Sequence, residues 1–197
     1  MRAFRAWLAG LSLLTTGACS HQVASLKSDW RQDWRERFDA GKEAHVRGDA
    51  AAAEQEFRAA LEVVRVESPP GLATALSLNA LAKLWIDAGR LEEADPALAE
   101  SMKIFESRVG TENEHFAILL TNRGDLEMKE ERYTDAEADF QRALQIAEQL
   151  KPVPEDLRTR ARTMLVGSLC LQGRLEDGDA VGKQFGMKCR REPAAAP

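Results

Sequence analysis

Residues 117–144, AILLTNRGDLEMKEERYTDAEADFQRAL, decide how the rest of this chain is read. At a helical period the stretch is two amphipathic segments with a tight break near Glu131 and Arg132. The first carries Leu120, Gly124 and Glu127 along one face. The second carries Ala136, Phe140, Ala143 and Leu144, an i, i+4, i+7, i+8 stripe that marks the buried side of a helix. Small residues at Gly124 and Ala136 let two antiparallel helices approach closely, with Phe140 as the ring that fills the groove between them. The unit expected is a helix–turn–helix hairpin with apolar surface left over for stacking on copies of itself.

Copies are present. The small residue near the start of the second segment recurs as Ala53, Ala94, Ala136 and Gly178, at intervals of 41, 42 and 42 residues. A constant spacing in this range marks a helical solenoid. The turns recur with it, as Gly48-Asp49-Ala50, Gly89-Arg90-Leu91, Glu131-Arg132-Tyr133 and Gly173-Arg174-Leu175. Phe57, Leu98 and Phe140 follow four residues after the small one, and Ala60-Leu61, Ser101-Met102 and Ala143-Leu144 close each stripe. The expected fold class is all-α, with helices near 30–47, 50–66, 72–88, 91–108 and 155–171. The fifth and sixth are the opening stretch, separated near Glu131 and Arg132, and an eighth fades after Met187. Pro96 is expected in about the first turn of its helix, where a missing N–H costs little.

These residues resemble the tetratricopeptide repeat (TPR). In that family two small residues, a bulky one and an alanine make the packing within each repeat. Gly41, Ala82 and Gly124 match the first role, and Ala53, Ala94 and Ala136 the second. Phe57, Leu98 and Phe140 match the third, and Ala60 and Ala143 the fourth. The length near 42, the acidic run from Glu92 to Pro96 and the link from Gly110 to His115 are similar to the kinesin-light-chain subtype. The resemblance implies a right-handed superhelical solenoid of about four repeats, near 34–67, 75–108, 117–150 and 159–188, within a domain of residues 29–188. Glu131 departs from the glycine that the family has at the turn, and Glu127 from its preferred aromatic.

The 197-residue chain carries a net charge of −5, three histidines and no basic block. That balance is a poor match for nucleic-acid phosphates. No glycine-rich phosphate loop, Cys-x-x-Cys pair, metal-spaced histidine cluster or Gly-x-Ser-x-Gly elbow is present. No catalytic residue, metal ligand or cofactor site is therefore expected, and the chain reads as a binding protein rather than an enzyme.

Residues 1–19, MRAFRAWLAGLSLLTTGAC, read as an address. Arg2 and Arg5 precede a short apolar run, and small residues follow it up to Cys19, the pattern of a secretory signal. The ending resembles the lipobox of bacterial lipoproteins, although Thr16 stands where leucine is commonest. The resemblance implies cleavage after residue 18 and acylation of Cys19. It also implies outer-membrane sorting with the body in the periplasm, because Ser20 is not the aspartate that retains such proteins. Residues 19–28 are then a lipidated cysteine and tether, and 189–197 a disordered tail.

By the same family resemblance, the first helix of each repeat lines a concave groove that binds a protein or peptide partner. Lys42, Asn79, Lys83, Asn122 and Asp125 are the residues expected there. An amide can donate and accept along a peptide backbone, and the two lysines suit acidic side chains or a terminal carboxylate. Cys170 and Cys189 are candidates for a disulfide. A straight helix would hold them ~20 Å apart at 1.5 Å per residue, so they meet only if the chain breaks at Gly182 or Gly186 and folds back. Gly178, Gly182 and Gly186 leave the last helix without a packing stripe. The alternative to an adaptor is a self-oligomerising structural lipoprotein with that glycine face as its interface.

Overall fold

A computed structural model describes residues 29–67 and 71–189. Among them are eight α-helices and no strand. They are α1 (Trp30–Val46), α2 (Ala50–Glu67), α3 (Leu72–Asp87), α4 (Leu91–Arg108), α5 (Glu114–Lys129), α6 (Tyr133–Gln149), α7 (Glu155–Leu171) and α8 (Leu175–Gly182). None is long and apolar enough to cross a membrane. The proposed signal, Cys19, the tether and residues 190–197 lie outside the described residues.

Each hairpin turns through one left-handed residue. Gly48, Gly89 and Gly173 hold φ of 78°, 75° and 77°, and Glu131 holds 61°. A Cβ in this region costs ~1–2 kcal/mol, partly offset because glycine loses more entropy on folding. Glu131→Gly is therefore expected to raise stability by about 1 kcal/mol, read as a higher denaturant midpoint at unchanged slope.

The small and bulky positions meet across each hairpin. A Cβ added at Gly124 would lie 2.5 Å from the Phe140 ring, and one at Gly41 would lie 2.6 Å from Phe57. Ala53, Ala94 and Ala136 are fully buried, as are Ala60, Ser101 and Ala143. Ser101 Oγ donates to the Ala75 carbonyl at 2.7 Å, which satisfies the one hydroxyl in that set. Pro96 departs from expectation. It sits in the second turn of α4, at the sixth helical residue, on the exposed side where its ring meets solvent.

Successive hairpins stack through α2 on α3, α4 on α5 and α6 on α7, and α3, α5 and α7 touch along the inner face. The outer junctions are polar. Glu54 of α2 accepts from Trp85 Nε1 at 3.0 Å and from Arg90 Nη1 at 2.7 Å in the next repeat. The Arg90 guanidinium holds its carboxyl down at about 2. That stabilisation is complete above the ordinary carboxylate pKa and is lost as pH falls toward 2. Between the third and fourth hairpins Glu137 plays the same part, accepting from Gln172 Nε2 at 2.9 Å and Arg174 Nη1 at 2.7 Å.

The C-terminal end corrects the expectation of a helix fading near Met187. α8 stops at Gly182, a 3-10 turn covers Lys183–Phe185, and Gly186 reverses the chain at φ 67°. The returning strand of chain brings Cys189 to Cys170, their Cα atoms 5.4 Å apart and their sulfurs bonded. All three glycines have local roles. A Cβ at Gly178 would lie 2.5 Å from Cys189 Sγ, and one at Gly182 would lie 2.4 Å from the Met187 carbonyl oxygen. The glycine face that the alternative reading assigns to another subunit is covered by the chain itself.

Candidate functional site

The first helices place one cluster of side chains on the inner face. Lys42, His45 and Val46 come from the last turns of α1. Asn79, Ala80, Lys83 and Leu84 come from the middle of α3, Ile118 and Asn122 from α5, and Arg160 from α7. Together they border a groove of about 320 Å³. Its floor is apolar, and Val46 is 85% exposed at its edge. Its rim is cationic.

Four of the five residues expected from sequence line this groove, but not all are available to a ligand. Asn122 is buried, and its amide is spent at both ends. Its Nδ2 donates to Asn79 Oδ1 at 2.7 Å, while its oxygen accepts from Arg160 Nη2 at 3.1 Å. The physical reason is register. Asn79 lies ten residues before the left-handed Gly89, and Asn122 nine before Glu131. The two amides therefore sit in neighbouring rather than equivalent positions, close enough to bond each other. Asn122 is thus a bracing residue of the wall. The half-buried Asn79 keeps its Nδ2 without a partner among the described residues.

Asp125 is also corrected. It lies beneath the rim and binds Arg160, with its side chain 12% exposed. Arg160, the residue that sequence reasoning missed, is held by Asp125 and Asn122 together and presents a positioned guanidinium at one end of the groove. A fixed fork of donors suits a carboxylate.

Lys42 and Lys83 are held by partners on their own helices, Lys42 also lying over the Phe38 ring at 5.5 Å from its centroid. Lys42 Nζ lies 2.7 Å from Asp39, and Lys83 reaches both Asp87 oxygens. Exposed pairs of this kind are worth ~0–1 kcal/mol, so either lysine can turn to an incoming anion at small cost.

The grouping holds no set of three or more metal-ligating side chains, and none is found among the described residues. No nucleophile with an adjacent base stands in it either.

Comparison with known proteins follows the same lines. Residues 74–117 match the tetratricopeptide repeat family, and residues 123–153 match the SHNi-TPR family. No curated protein matches the chain. Among solved structures it is similar to the crystal structure of BtubC (BKLC) from P. vanneervenii. That similarity has a TM-score of 0.70 at 18% identity and covers 87% of this chain and 72% of that one. The fold is a helical solenoid built from repeats of the tetratricopeptide type.

Proposed function

We propose that this protein is a membrane-anchored periplasmic adaptor that holds a protein partner through the concave groove. The observation that carries the reading is the grouping of Lys42, Lys83 and the braced Arg160 around an apolar groove lined by Ile118 and edged by Val46. That combination fits a short extended segment with one apolar anchor and a carboxylate, from an acidic side chain or a chain terminus. Repeats of this type are generally protein-interaction scaffolds, which supports a binding role for the groove.

The anchor rests on residues 1–19, through acylation of Cys19 and retention at the outer membrane with the body facing the periplasm. Several acyl chains hold a protein stably, whereas one is marginal. A disulfide at Cys170 and Cys189 suits an oxidising compartment. Labelling with a clickable fatty acid should mark the wild type and not Cys19→Ala; equal labelling would remove the anchor from the account.

The groove has its own test. Titration of the folded domain with acidic peptides ending in a free carboxylate should show binding that weakens about tenfold in Lys42→Glu/Lys83→Glu. Both substitutions lie on exposed or half-exposed positions, so the thermal midpoint should hardly move. Affinity unchanged by the charge reversals would place the binding surface elsewhere.

A further inference from the structure

The end of the solenoid carries a feature that the adaptor reading does not use. The third repeat meets the fourth through two contacts, one at the turn that follows α7 and one on α7 itself. On α6, Glu137 accepts from Gln172 and Arg174. On α5, Met128 reaches α7, its Cε lying 4.0 Å from a Cβ built at Gly167. Moving 42 residues along the chain gives Asp179 on α8 and Cys170 on α7. Both of these positions are occupied, by residues 183–189. Cys189 N donates to Asp179 Oδ1 at 2.7 Å, and Cys189 Sγ is bonded to Cys170. Met187 Sδ lies 3.6 Å from Oγ1 of the exposed Thr163, whose hydroxyl donates to the Thr159 carbonyl at 2.8 Å. Phe185 lies over the Arg162 guanidinium at 4.0 Å. The glycines complete the fit. Gly182 stands where α6 has Phe140, and the space that ring would fill holds the Met187 backbone instead.

We propose that residues 183–189 are a cap, latched by the Cys170 to Cys189 disulfide, that occupies the docking place of a further repeat's first helix. Two contacts echo the internal junction: an acid receiving an N–H, and a sulfur-bearing side chain reaching the incoming segment. The cap shields a face that α7 and α8 would otherwise leave open to stacking. Stacking of a second copy is also opposed at the other end. The first repeat has Asp49 where the later ones have Arg90, Arg132 and Arg174, so a copy docked there would set Asp49 against Asp179.

A dithiol reagent opens the latch by exchange. One thiolate of the reagent attacks one sulfur and expels the other cysteine as a thiolate; the second then displaces the attacked cysteine from the mixed disulfide, leaving two protein thiols and the oxidised reagent. Native-state hydrogen exchange on the oxidised and the reduced protein tests the cap. Reduction should speed exchange at least tenfold in α8 and the second half of α7, while α1–α4 stay unchanged. Asp179→Ala with the disulfide intact separates a docked cap from a mere covalent staple, because only a docked Cys189 amide should then exchange at least fivefold faster. No change at α7 and α8 on reduction, or an unchanged Cys189 amide in Asp179→Ala, would overturn the proposal. So would acceleration spread evenly to α1–α4. The double variant Cys170→Ser/Cys189→Ser should reproduce the reduced pattern without reagent.

Discussion

Phe140→Ala should cost the protein about 3–5 kcal/mol, the range for emptying a buried aromatic site. Phe140 is fully buried at the meeting point of three helices. Its ring lies on the bare backbone of Gly124 in α5, and it packs in one cluster with Ala136, Leu165 and Leu169. Collapse into the cavity is limited, because Gly124 has no side chain to swing in and Leu165 and Leu169 are fixed by their own helix. Removing the ring therefore loosens α5 against α6 and also the junction to α7. A solenoid's stability is close to a sum of repeat and neighbour terms, so the loss should appear as early unfolding of the third and fourth repeats. Urea denaturation with α2 and α7 probed separately would show it. A loss under 1 kcal/mol would mean that Phe140 is not the keystone of that junction.

Glu127→Leu should stabilise the protein by about 2–3 kcal/mol at pH 8 and by about 1 kcal/mol or less near pH 4. Glu127 is 6% exposed, and its Oε2 has no hydrogen-bond partner. Of the nearby guanidinium groups, Arg123 is bonded through Nε and Nη2 to Asp139, and Arg132 makes only a long ion pair, its Nη1 3.7 Å from Glu127 Oε1. Burial first, and the Asp139 charge second, push the Glu127 carboxyl up to about 7. The sign follows from linkage. With the folded pKa above the unfolded one, ionisation favours the unfolded chain. The penalty is absent below about 4.5, grows between there and about 7, and is complete above that. The gap corresponds to ~3 kcal/mol at most. In register, Ala44, Trp85 and Leu169 are all apolar, so leucine restores what the other repeats have. Paired denaturation of wild type and variant across pH 4–8 isolates the effect. A gain independent of pH would mean that Glu127 finds a partner.

The hairpins were legible because a packing face must repeat if identical units are to stack. Ala53, Ala94 and Ala136 are forced to be small, and the turns are forced into the left-handed region, so both print a period on the chain. Sequence could also name most of the groove, since residues between packing positions on a first helix have only the inner face left. It could not tell lining from availability. Asn122 matched a peptide-binding asparagine, yet a one-residue offset from Asn79 turned it into a brace. Arg160 escaped notice because its register mates are Ile118 and Leu76. A charge breaking an apolar column was the signal it left. The last repeat was the least legible. Gly178, Gly182 and Gly186 read as lost packing, and their function appears only where the chain reverses at Gly186 and lays Met187 and Cys189 on the other two.

The account stands or falls on whether the inner face meets a partner. A photo-crosslinking side chain placed at Ile118, within the groove, and in parallel at the exposed Glu100 on the outer surface, tests that in intact cells. A discrete adduct at 118 that disappears in Lys42→Glu/Lys83→Glu, with none at 100, is the predicted result. No adduct at 118, or equal adducts at both positions that survive the charge reversals, would contradict it.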